Sequence, residues 1–169
     1  MAFAVPTRRK LLAADATTGS PQATGTTSPE TRALEQQMLE LVNEDRADAA
    51  NFAETHGQAQ PLIWDERLAE VARARSEDMI ARNYFGHVDP DGFTPDVHLT
   101  MAGIRWTAMS ENIVIRTTVE RGEAAFMDEP RFDPNHRGAI LNGQLTHVGI
   151  GVIAAPNGEL YITQEFARY

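Results

Sequence analysis

Chemistry in this chain of 169 residues must be done without thiols, because it contains no cysteine. Disulfide frameworks and thiolate metal ligation are therefore excluded. Histidines, carboxylates and hydroxyls remain. Neutral imidazoles ligate Zn²⁺ and similar ions, and carboxylates orient them by binding the other ring nitrogen. His87 ends the run Tyr84-Phe85-Gly86-His87, just past an expected helix end, where a cation can equally serve the last carbonyls. Glu111 sits near the start of SENIVIR, residues 110–116, which read as a strand. Alternation puts Glu111, Ile113 and Ile115 on one face. If the isoleucines face the core, Glu111 lies at the end of a buried row. A carboxylate there needs a hydrogen-bond donor or a cation, or it keeps its proton. Ser110 is the only nearby hydroxyl with a conceivable base, and neither GxSxG nor HExxH occurs.

The elements that must position these groups can be read locally. Residues 13–30 are rich in Thr, Ser, Gly, Ala and Pro and nearly devoid of large apolar groups, so a flexible leader is expected over 1–29 and one domain over 30–169. Ser28-Pro29 offers an N-cap followed by proline at the first helical position. Leu34, Met38, Leu41, Val42 and Ala49 then follow helical spacing for about five turns. Asp65 can cap a second helix that buries Leu68, Val71, Ala72, Met79 and Ile80 and stops around Asn83. VDPDGFTP is turn chemistry, and a short helix over 95–102 ends at Gly103. Thr117-Thr118-Val119-Glu120 fits a capping box opening another helix to about Met127. The segment DEPRFDPNHRGAILN is irregular, with one helical turn at its end. HVGIGVIA and ELYITQEFA alternate around an Asn-Gly turn, which predicts a β-hairpin over 147–166. His147, Gly149 and Gly151 share one face of it, and the two glycines leave room for a close approach. Helices around a hairpin-joined sheet give an α+β fold rather than a parallel βαβ sheet.

Taken in order, PLIWDERLAEVARARSEDM, FGHVDPDGFTP, SENIVI, NHRGAILN and LTHVGIGV resemble the bacterial branch of the CAP superfamily, which includes cysteine-rich secretory proteins, venom allergens and plant pathogenesis-related proteins. The resemblance runs from about Leu34 to Phe166. It implies a three-layer α-β-α sandwich around a small antiparallel sheet, with an open cavity lined by two His and two Glu. The first His corresponds to His87 in FGH. The first Glu corresponds to Glu111 in SEN, where the family usually has GEN. The second Glu falls three residues after a Trp in eukaryotic members; here the stretch is FMDE, giving Glu129 with Phe126 in place of the Trp. The eukaryotic position of the second His holds Gln144. NHR matches the bacterial SPGHR-like segment and makes His136 the partner, after the extra residues DEPRFDP. Taken singly, His136 also reads as a loop histidine and Glu129 as part of a solvated acidic loop. His56, His98 and His147 read as structural or surface groups.

With 15 basic against 24 acidic residues and a net charge of −9, the chain lacks the basic footprint of a phosphate-backbone binder, so no nucleic-acid partner is expected. The balance equally disfavours docking on anionic lipid by charge. No run is long enough for a transmembrane span, and the basic N-terminal residues are followed only by LLAA, too short for a secretory signal. The resemblance implies a secreted or extracytoplasmic location all the same. The expected function is a monomeric, non-enzymatic module whose cavity of His87, Glu111, Glu129 and His136 binds a small ligand or protein. No cofactor is required, but the family's divalent-ion binding implies Zn²⁺ or another cation at His87 and His136. Two alternatives stay open. One is a metal-assisted hydrolase of peptides or envelope polymers, with Glu111 as general base. The other is an adhesive or scaffold unit.

Overall fold

The computed structural model describes residues 27–130 and 135–169. Most of the expected leader (1–26) and residues 131–134 of the DEPRFDP segment lie outside the described residues. The first helix, α1 (Pro29–Ala47), opens as its sequence dictates: the Ser28 hydroxyl accepts from the Thr31 amide at 3.1 Å and Pro29 fills the first turn. Its buried stripe is Glu35, Met38, Leu39, Val42 and Arg46, whereas Leu34 and Leu41 are only half-buried. Two charged residues therefore take core positions that apolar spacing assigned to leucines. Both are partnered: Glu35 accepts two bonds of 2.7 Å from Arg73, and Arg46 donates to the carbonyls of Gln60 and Ile140 at 2.6 and 2.5 Å. Asp48 ends α1 and caps α2 (Ala49–Glu54) through the amides of Ala50 and Asn51, so Ala49 belongs to the second helix.

Asp65 caps α3 (Glu66–Ala81) by accepting from the Arg67 amide at 2.8 Å. Next come α4 (Pro95–Met101), β2 (Ala108–Arg116) and α5 (Val119–Met127). The cap of α5 is Thr118, one residue later than the capping box suggests; its hydroxyl accepts from the Arg121 amide. The helical turn expected after the irregular segment is α6 (His136–Leu141), capped by Asn135. The hairpin is β3 (His147–Ala154) and β4 (Leu160–Arg168), with Gly158 in the turn at φ +84°, a conformation that suits glycine. A two-residue strand, β1 (Ile63–Trp64), pairs in parallel with β3 and had no periodic signal of its own. Strand order is β1-β3-β4-β2, antiparallel apart from that edge.

Helices cover both faces of the sheet. On one, α1, α5 and α6 enclose the larger apolar core of Met38, Val42, Phe126, Ile140, Ile150, Ile162 and Phe166. On the other, α3 lies across β3 and β4, with Leu68 and Val71 in a smaller core beside Leu99 and Ile104. The approach that Gly149 and Gly151 permit is that of α3 itself. A Cβ at Gly149 would stand 2.0 Å from the Ala69 amide nitrogen, and one at Gly151 2.3 Å from that of Arg73. The sequence can therefore place the α3 main chain directly against β3.

Candidate functional site

His87 is carried by the loop after α3, and that loop is held from beneath by one buried side chain. Arg75 donates to the carbonyls of Gly86 and His87 at 3.0 and 2.9 Å and to the Tyr84 hydroxyl at 2.8 Å. Its remaining donor, Nε, reaches Glu111 Oε2 at 3.1 Å. Glu111 projects from β2 toward α3, as strand parity requires, with a side chain only 1% exposed. The carboxylate is thus fixed by the same guanidinium that shapes the loop. Its other oxygen, Oε1, lies 2.7 Å from His87 Nδ1.

A second imidazole–carboxylate pair faces the first. His136 begins α6, and its Nδ1 lies 2.6 Å from Glu129 Oε1, while Glu129 Oε2 accepts from the His136 amide at 2.8 Å. Phe126 packs on the His136 ring with centroids 5.0 Å apart. Asn112 donates to the His136 carbonyl at 3.1 Å and to Gln164 Oε1 at 3.0 Å, and Gln164 in turn donates to Glu123 at 3.0 Å. Arg137, next along α6, is anchored on Glu54 and Asn51. A buried polar chain therefore runs from α5 through β4 and β2 to the start of α6.

The two rings stand 6.4 Å apart, centre to centre, with planes 33° apart. All four residues line one open cavity of about 1000 Å³. Burial works against ionisation of both carboxyls, but their partners win. His87 and Arg75 hold Glu111 below the usual carboxylate range, and the His136 ring and amide do the same for Glu129. An ionised carboxylate can only accept, so each Nδ1 is the N–H, and in the neutral ring the lone pair falls on Nε2. Two lone-pair nitrogens on rings fixed by carboxylates suit a divalent ion. An ion about 2.1 Å from each Nε2 lies about 3.2 Å from each ring centre, so the observed spacing spans a shared ion only if ligation is nearly linear. Tetrahedral ligation needs the rings about 1 Å closer. Among the described residues no group of three or more His, Cys, Asp or Glu is arranged as a metal cage. The donor set fits an open, two-ligand site.

Three features escaped sequence reasoning. Arg75 reads as an ordinary helix charge until Glu111 is seen to require a cation. His56 lines the same cavity, with a backbone φ of 52°. Glu165 is fully buried behind Glu111. Elsewhere His98 pairs with Asp89 at 3.1 Å, and His147 packs on Tyr169. Ser110 lines the cavity, but among the described residues its hydroxyl has no hydrogen bond to a base.

Helices on both faces of a small mixed sheet, with two imidazole–carboxylate pairs at one end, define an α+β domain of the cysteine-rich secretory type. A family profile for the CAP, or cysteine-rich secretory protein, family matches residues 39–166, and the chain belongs to that family. It is 32% identical over 154 residues to the uncharacterized protein YkwD of Bacillus subtilis strain 168, covering 90% of this chain and 54% of that protein. It is 34% identical over 134 residues to the uncharacterized membrane protein YlbC of the same organism, covering 79% and 34% respectively. The chain therefore spans about half or less of the curated relatives it matches. Among solved structures, an extracellular protein containing a SCP domain from Bacillus anthracis strain Ames superposes with a TM-score of 0.69 at 26% identity, over 86% of this chain and 45% of that one.

Proposed function

We propose that this domain is an extracytoplasmic binding module that holds a divalent cation, or a small ligand, at the Nε2 atoms of His87 and His136. The observation that carries this is the doubling of one arrangement: two imidazoles, each fixed through Nδ1 by its own carboxylate, across one cavity. A cation such as Zn²⁺ would supply Lewis acidity and open positions for a ligand oxygen or nitrogen. The cavity is far larger than an ion, so a bound molecule could share the site. The extracytoplasmic location rests on the family and on the likeness to the B. anthracis extracellular protein. Among the described residues no helix is long and apolar enough to cross a membrane.

A hydrolytic role with Glu111 as general base has weaker support. That carboxylate is buried and already engaged through one oxygen by His87 and through the other by Arg75, and both contacts favour its ionised form over the protonated form a general base must pass through. An adhesive or scaffold role would leave the imidazole pair without a task. Calorimetric titration of Zn²⁺ into the protein should show binding that disappears in the double variant His87→Ala/His136→Ala, with circular dichroism unchanged. Equal binding by the double variant would overturn the assignment.

A further inference from the structure

Consecutive residues of β4 go to opposite faces of the sheet, and each backs one of the two imidazoles. Gln164 turns toward α5 and reaches His136 through Asn112. Glu165 turns toward α3, fully buried, opposite Glu111 on β2 and opposite Gly149 on β3. No donor among the described residues satisfies either oxygen of Glu165. Arg75 is the cation acting on it, yet all three nitrogens of that guanidinium are already engaged by Glu111, Tyr84 and two loop carbonyls. Gly149 contributes no side chain, and the α3 main chain fills the space above it.

Charge decides the state of this group. Arg75 is the one permanent cation in this buried cluster and Glu111 already offsets it; a second buried anion has no fixed counter-charge. Glu165 is therefore the protonated member. Burial and the charge on Glu111 both push its pKa well above the ordinary value, while the contact helps to hold Glu111 down. Two ionised carboxylates could not bond to each other, but one proton between them makes a strong O–H···O⁻ bond.

The geometry points to Glu165 as a positioning residue: a neutral buried acid that donates its O–H to Glu111 and so locks Glu111 on His87 Nδ1. With Arg75 on Oε2 and Glu165 behind, the Glu111 carboxylate cannot swing, and the His87 ring keeps Nε2 free for the cavity. The consequence for ligation rests on the proposed ion-binding role; the proton and the hydrogen bond do not.

Three measurements on the full chain test this, two of them without metal. Infrared spectra should contain a protonated carboxylic acid band at neutral pH that is lost in Glu165→Gln and kept when Glu123 alone is replaced by Gln. Nitrogen-15 NMR should show His87 as the Nδ1–H tautomer in the wild type and in Glu165→Gln, whose amide N–H still donates. A mixed tautomer is expected in Glu165→Leu. In Zn²⁺ titrations Glu165→Leu should bind about 10–100-fold more weakly, and Glu165→Gln should recover most of that loss. Loss of no acid band in Glu165→Gln would overturn the proposal, even if the leucine variant fails to fold. An unchanged His87 tautomer in a folded Glu165→Leu would overturn it as well. If the wild type binds no Zn²⁺, the ion-binding role fails, and the two metal-free measurements still decide the role of Glu165.

Discussion

Glu123→Gln should make the protein more stable at neutral pH and leave it unchanged in acid. Glu123 is buried at the far end of the polar chain that leads to His136. Gln164 donates to its Oε2 at 3.0 Å, and Asp45 on α1 approaches from the other side. Burial is the main cause that pushes its pKa up to about 8, the Asp45 charge adds to it, and the Gln164 bond opposes it. The unfolded chain releases this proton near 4.5. Between 4.5 and about 8 the folded state holds more protons than the unfolded one, so this carboxyl lowers stability as pH rises. Below 4.5 both states are protonated and the penalty vanishes. At about 1.4 kcal/mol per pH unit, the penalty at pH 7 reaches about 3 kcal/mol. Glutamine keeps the shape, accepts from Gln164 and donates to Asp45, but has no proton to lose. Urea unfolding followed by tryptophan fluorescence at several pH values gives the difference between variant and wild type. That difference should be near zero in acid and grow steadily toward neutrality. A difference independent of pH would mean that Glu123 is not held protonated, and the account of the buried network would fail.

Two further substitutions test the framework. Gly149→Ala should cost about 3 kcal/mol or more in urea unfolding, because the added methyl meets main-chain atoms of α3 that cannot step aside. Arg75→Met should cost about 3–5 kcal/mol by leaving Glu111 as a buried charge without its cation, and the further change Glu111→Gln should recover part of the loss.

How far the sequence disclosed this molecule depended on the range of the interactions involved. Capping at Ser28 and Asp65, the Asn-Gly hairpin and the alternation of β2 are local, and local residues specify them. The parity of Glu111 was enough to demand a donor or cation, but not to say which. The answer, Arg75, sits 36 positions away on a helix whose exposed and buried charges look alike in sequence. The same limit applies to α1, where Glu35 and Arg46 take buried positions because Arg73 and four backbone carbonyls, at residue 60 and within residues 140–145, receive them. The strand Ile63–Trp64 is too short to carry a period and exists because β3 offers it an edge. Glu165 follows a regular alternation and would pass for an error in the pattern. Its meaning appears only when the register sets it opposite Glu111.

Where α3 rests on Gly149 and Gly151, the thickness of that layer is a distance between two main chains rather than between side chains. Substitutions along α3 can change its outward face freely without raising or lowering the platform from which the His87 loop departs. The spacing of the opposite layer is set instead by leucine, isoleucine and phenylalanine side chains. One wall of the cavity is thereby hung from a main-chain contact, and the other from a packed side-chain layer.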